Sequence, residues 1–93
     1  MAAPSEEQEA LKKRGNDAVA AKQWREAVEL YTKAIDAGPP SHTLFSNRSH
    51  ALLSMGDARG ALLDAEQCIR LAPNWARGWG RLASARSELR DLA

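Results

Sequence analysis

Apolar residues recur along this chain at helical intervals, and turn residues cut the pattern into five segments. The first opens at Ser5, which has capping-box spacing with Gln8, and runs to about Ala21 on Ala10, Leu11, Ala18 and Val19. The second, from Trp24 to Ala37, carries Ala27, Val28, Tyr31, Ala34 and Ile35, an i, i+3, i+4, i+7 stripe. Gly38 is placed to end it, and Pro39-Pro40 enforces the stop. Ser41 caps a third helix through Met55. Gly56-Asp57 turns into a fourth, which runs to about Leu71 on Ala61, Leu62, Ala65, Cys68 and Ile69. Pro73-Asn74 breaks that helix, and Asn74 caps a fifth from Trp75 to about Leu89. Asp91-Leu92-Ala93 reads as the opening of a further helix. The pattern predicts an all-α fold in which short connections make successive helices antiparallel neighbours.

The segments are also copies of one another. Leu11, Phe45 and Trp79 lie 34 residues apart, as do the small residues Gly15, Ser49 and Ala83. The same offset relates Ala27 to Ala61, Ile35 to Ile69 and Pro39 to Pro73. A recurring large slot, small slot and closing proline mark a stack of helical hairpins. A glycine inside a helix costs about 1 kcal/mol relative to alanine. The compensation expected at Gly15 is close approach of its partner helix. Phe45 and Trp79 are expected to fill the large slots between helices.

Composition narrows the function classes. Eighteen alanines against five aromatics suit helices packed closely with few bulky spacers. A net charge of +1 speaks against bulk attraction to nucleic acid or to an anionic membrane. The single cysteine, Cys68, has no internal disulfide partner, so a reducing cytoplasmic or nuclear compartment is expected. Nothing at the start of the sequence suggests secretion, and no stretch approaches the roughly 18 apolar residues of a membrane span. Gly78-x-Gly80 lies inside a helical pattern without the preceding strand of a phosphate loop. His42 and His50 have no acid or thiol at catalytic or metal spacing. His42 is read as solvated and Cys68 as a buried packing residue. No catalytic site, metal or cofactor is expected.

The marks resemble the tetratricopeptide repeat. Its pattern of a large residue, a small residue four positions on, then alanine, aromatic, alanine and proline is met in the first repeat by Leu11, Gly15, Ala18, Ala27, Tyr31, Ala34 and Pro39. The second repeat has Phe45, Ser49, Leu52, Ala61, Ala65, Cys68 and Pro73 in those slots. The resemblance implies a right-handed superhelix of about two and a half repeats in a single domain over 1–93. Repeat 1 would span about 8–41, repeat 2 about 42–75 and an incomplete repeat 3 about 76–93. Such stacks usually need roughly three repeats, so marginal stability is expected.

In this family the first helix of each pair lines the concave face. There the sequence places Lys12 and Asn16, then Asn47, then Arg77 and Arg81. Lys12/Asn16 and Arg77/Arg81 are i, i+4 pairs, each sharing one helical face. The set supplies three cations and two amides with no carboxylate among them, a constellation suited to a chain-terminal aspartate with its two carboxylates.

The strings Lys12-Lys13-Arg14-Gly15-Asn16, Phe45-Ser46-Asn47-Arg48-Ser49 and Trp75-Ala76-Arg77-Gly78-Trp79-Gly80-Arg81 look like the two-carboxylate-clamp branch. That branch grips the Glu-Glu-Val-Asp tails of heat-shock proteins 70 and 90. Among its members the chain is most similar to the N-terminal domain of the Hsp-organising co-chaperones, which implies a preference for heat-shock protein 70. Arg77 stands where the family usually has lysine. It keeps the charge but is longer and forked, so it either holds the carboxylate bidentately or displaces it. Val19, His50 and Leu53 are expected to face the same groove. His50 stands where small or apolar residues are usual and, when protonated, would strengthen binding in mild acid.

Taken singly, Lys12 with Asn16 or Arg77 with Arg81 is an ordinary solvated helix face. The five in register carry the clamp reading. A rival is a structural adaptor, or an edge-mediated dimer in place of a monomer, built on Leu89 and Leu92 near an open end. A second is a reader of acidic ligands at large, nucleic acid included, which the neutral charge and few aromatics disfavour.

Overall fold

The computed structural model describes residues 3–92. They form α1 (Glu6–Ala20), α2 (Trp24–Asp36), α3 (His42–Ser54), α4 (Ala58–Leu71) and α5 (Ala76–Leu92). Each helix packs on the next, while α3 also touches α1 and α5. The odd-numbered helices therefore share one face of the stack.

The capping chemistry is local and explicit. Ser5 accepts from Gln8 N, Ser41 from Leu44 N and Asp57 from Gly60 N, so three helices begin on a side-chain oxygen that meets an orphan amide. The turns after α1 and α3 are equivalent. After α1, Lys22 N bonds Val19 O at 2.9 Å and Gln23 N bonds Ala18 O at 2.8 Å. After α3, Gly56 N bonds Leu53 O at 3.0 Å and Asp57 N bonds Leu52 O at 2.9 Å. Both are Schellman-type closures needing a left-handed residue. Gly56 meets the need at φ 90°, whereas Lys22 adopts φ 58° with a side chain in place. A non-glycine residue costs about 1 kcal/mol there, so Lys22→Gly is expected to raise unfolding stability by about 0.5–1 kcal/mol, read by urea denaturation.

The core is built from small residues with a few large ones between them. Ala27, Ala34, Ala51, Ala61, Ala65, Cys68 and Ala85 are fully buried, and Tyr31 and Leu44 fill the space between helices. Gly15 is required by contact: a Cβ there would lie 2.5 Å from the Tyr31 ring. The equivalent Ser49 is buried and donates to Ala61 O at 2.8 Å. Gly38 departs from expectation. It has no positive φ, and α2 already closes at Ala37. Its smallness instead admits the buried Gln8, whose Nε2 bonds Ala34 O and Pro39 O.

Four further expectations are corrected. Asn74 does not cap α5: Trp75 N closes a turn on Ala72 O and Gly78 N bonds Trp75 O, so the helix starts at Ala76. Asp91 and Leu92 continue α5 instead of opening another helix; Ala93 and the side chains of Asp91 and Leu92 lie outside the described residues. Trp79 is 50% exposed, with its Nε1 donating to Pro73 O, and Ala83 and Ala10 are exposed too. Trp79 and Ala83 occupy the slots that in repeat 1 receive α2, and among the described residues no helix covers them. His42 is packed edge-on against Trp75, with ring centroids 4.8 Å apart, and is not simply solvated.

Candidate functional site

On the face shared by α1, α3 and α5, six residues enclose a pocket of about 170 Å³: Asn16, Val19, Tyr31, Asn47, His50 and Arg81. The 3.6-residue period explains the assembly. Asn16 and Val19 are one turn apart on α1, and Asn47 and His50 one turn apart on α3. Arg81 reaches them from α5, and Tyr31 enters from α2 behind.

The polar groups orient one another. The Tyr31 hydroxyl donates to Asn16 Oδ1 at 2.6 Å, and Asn47 Nδ2 donates to the same oxygen at 3.3 Å. With its oxygen occupied twice, Asn16 can offer a ligand only its NH2 donors. Asn47 keeps a second N–H free of that bond. Arg81 Nε donates to the buried Ser46 Oγ at 3.2 Å, and Nη1 lies 3.4 Å from His50 Nδ1. The pocket thus presents the amide donors of Asn16 and Asn47, the Asn47 oxygen and one cation, and among the described residues no carboxylate pairs with Arg81.

Electrostatics follow from partial burial. Desolvation, and then the charge of Arg77, lowers the Arg81 pKa. Desolvation raises that of Tyr31, with Arg81 opposing. His50 is lowered from its ordinary value by desolvation and then by Arg81. Both causes resist protonation, so the expected gain of binding in mild acid through a charged His50 is not supported. Cys68 is buried with its thiol raised by desolvation, which fits a packing residue and no nucleophile.

The structure separates the expected set. Asn16, Asn47, Arg81, Val19 and His50 come together. Lys12, half-buried on α1, sits one turn before Asn16 and has Glu9 at 3.7 Å, an exposed pair of little worth. Arg77 is exposed, with its guanidinium 5.5 Å over the Trp75 ring, and is not among the residues that line the pocket. Leu53 lies one turn past His50, in a separate hollow with Gly56, Ala58 and Glu88. Two contributors escaped sequence reasoning. Tyr31 was legible only as a core aromatic, although a hydroxyl in a core slot signals a hydrogen-bond duty. Ser46 gave no signal beyond standing next to Asn47.

Among the described residues there is no group of His, Cys, Asp and Glu able to hold a metal ion, and no helix is long and apolar enough to cross a membrane. A stack of helical hairpins with a donor-lined, cationic hollow on its shared face is the architecture of a helical repeat module. No family model matches the chain. It is 43% identical over 82 residues to the heat shock protein STI1 of Saccharomyces cerevisiae, which covers 87% of this chain and 14% of that protein. The Arabidopsis OM64 TPR domain superposes with a TM-score of 0.90 at 30% identity, covering 96% of this chain and 74% of that one. The first TPR of Spaghetti (RPAP3), bound to the HSP90 peptide SRMEEVD, superposes with a TM-score of 0.89 at 28% identity over 95% of this chain and 70% of that one. The chain belongs to the tetratricopeptide repeat family, and it spans about one seventh of the length of the yeast relative.

Proposed function

We propose that this module is a non-catalytic binder of co-chaperone type that grips the free C-terminal Glu-Glu-Val-Asp tail of heat-shock protein 70 or 90 in the cytosol. The observation that carries the reading is Arg81: a half-buried cation without a carboxylate partner among the described residues, beside Asn16, whose oxygen is occupied, and Asn47, which keeps one amide N–H free. A desolvated cation in such a place favours an anion from outside. The terminal carboxylate and aspartate side chain of the tail offer two, for the amides of Asn16 and Asn47 and for Arg81 in the same pocket. Lys12 and Arg77 add charge from the rim. Val19 meets the residues before the aspartate, with His50 behind it against Arg81, and Leu53 meets those further up the tail. Likeness to a domain bound to SRMEEVD supports the same ligand class.

So small an interface is expected to bind at roughly micromolar strength and to weaken with salt, because its exposed charges are screened within about 10 Å at 0.1 M. The test is an NMR titration with Met-Glu-Glu-Val-Asp. The side-chain amides of Asn16 and Asn47 and the guanidinium of Arg81 should shift together and saturate. Shifts confined to α4, or none, contradict the reading.

The exposed Trp79 favours one alternative, an adaptor that engages partners through the open face of α5. Concentration-dependent association in sedimentation velocity, abolished by Trp79→Ser, would support it. A monomer at all concentrations speaks against self-association through that face.

A further inference from the structure

His50 stands out because its ring nitrogen faces a cation. A guanidinium has five donors and no acceptor, so at 3.4 Å the His50 Nδ1 can only accept, and the ring proton of the neutral form belongs on Nε2. A second contact fixes the ring from another side: Trp24 meets it edge-on, with centroids 5.6 Å apart and planes at 89°. Trp24 is itself packed against the buried core of α1, α2 and α3. Arg81 is consequently tethered twice, by Ser46 at Nε and by His50 at Nη1, from two residues one turn apart on α3. The remaining N–H groups of the guanidinium are left to a ligand.

We propose that neutral His50 is a positioning residue for Arg81, accepting from the guanidinium on a ring braced by Trp24 so that the cation is aimed before a carboxylate arrives. The inference rests on the peptide-clamp reading for its effect on affinity, but not for its effect on Arg81 itself. Holding a long side chain in its bound rotamer moves the ordering cost from binding to folding. Protonation at Nδ1 turns the contact into donor against donor and cation against cation. Of the groups around the ring, Arg81 from α5 is the charged one and Tyr31 from α2 the other titratable one. Asn16 and Val19 from α1, Asn47 from α3 and Trp24 carry no charge. The lowered His50 pKa agrees with this environment: neutrality persists below the ordinary value of 6.5.

The experiment compares wild type, His50→Ala and His50→Asn by NMR at low temperature and by peptide titration. Asn Oδ1 takes the place of Nδ1 as an acceptor and cannot be protonated in this range. A discrete Arg81 Nε–H resonance is expected in wild type and His50→Asn, and a broadened or fast-exchanging one in His50→Ala. Acidification should broaden it in wild type, in step with the imidazole titration of His50 and with a midpoint below pH 6.5, and leave His50→Asn unchanged. Affinity for Met-Glu-Glu-Val-Asp should fall about three- to tenfold in His50→Ala. It should return to within about twofold in His50→Asn, and His50→Ala should add nothing in an Arg81→Ala background. An Arg81 resonance indifferent to His50→Ala and to acidification overturns the proposal. So does an additive loss in the double variant, which would mean that His50 meets the peptide directly. If wild type binds no peptide, the clamp reading fails and the resonance of Arg81 still decides the positioning role.

Discussion

Arg81→Ala is expected to weaken binding of a free-carboxylate Glu-Glu-Val-Asp peptide by about 2–5 kcal/mol, the range for truncating one partner of a buried, hydrogen-bonded charge pair. From a micromolar start the lower figure raises Kd about thirtyfold, and the upper figure carries it into the millimolar range. Arg81 is the one charged residue among those lining the pocket, and its partial burial leaves water less able to substitute for an anion. The fold should tolerate the change, because Arg81 bridges only to Ser46 and His50 and makes no ion pair among the described residues. Arg77→Ala should cost much less, since its guanidinium is exposed over Trp75. Isothermal calorimetry on the two variants separates wall from rim. An Arg81→Ala loss under about 0.5 kcal/mol, the worth of a surface charge, contradicts the assignment.

The largest effect on stability is expected on the far side of α3. Arg48 binds Asp64 of α4 through two parallel bonds, Nε to Oδ2 at 2.7 Å and Nη2 to Oδ1 at 2.8 Å, and its Nη1 donates to Thr32 of α2 at 3.1 Å. One side chain thereby ties three helices. Asp64 is only 4% exposed, so Arg48→Met keeps the stem but strands a buried carboxylate. The expected loss is about 3 kcal/mol, the lower part of the range for breaking a buried pair because Arg48 itself is partly solvated. In a domain of this size that lowers Tm by roughly 12–24 °C. Replacing both partners, Arg48→Met with Asp64→Leu, should recover most of the loss, since no charge is then left unpaired. Thermal melts of the single and double variants decide it. A single-variant loss below about 1 kcal/mol would show that water reaches Asp64.

The helices were legible because their punctuation is local: Ser5, Ser41 and Gly56 act on backbone groups within three or four residues. The reading failed where a residue's role depends on a neighbour from another element. Trp79 occupies a large-residue slot in the repeat, but a slot is filled only when a helix covers it, and α5 has no such neighbour among the described residues. Gly38 looked like a helix terminator and is instead the floor under Gln8. At the pocket, Asn16, Asn47 and Arg81 were found by register, which fixes the face a side chain leaves from. Register does not show what lies opposite, so the Tyr31 hydroxyl, the Ser46 acceptor and the Arg48–Asp64 pair emerged only when the helices were packed together.

A clamp groove is expected to read a free chain terminus. Its most direct test is a fluorescence-anisotropy titration of labelled Met-Glu-Glu-Val-Asp beside its C-terminally amidated twin. Micromolar binding by the free acid, lost on amidation, is the predicted result. Equal binding by both peptides would contradict the clamp and leave generic acidic recognition. Binding by neither, with circular dichroism showing an intact helical domain, would contradict peptide recognition altogether.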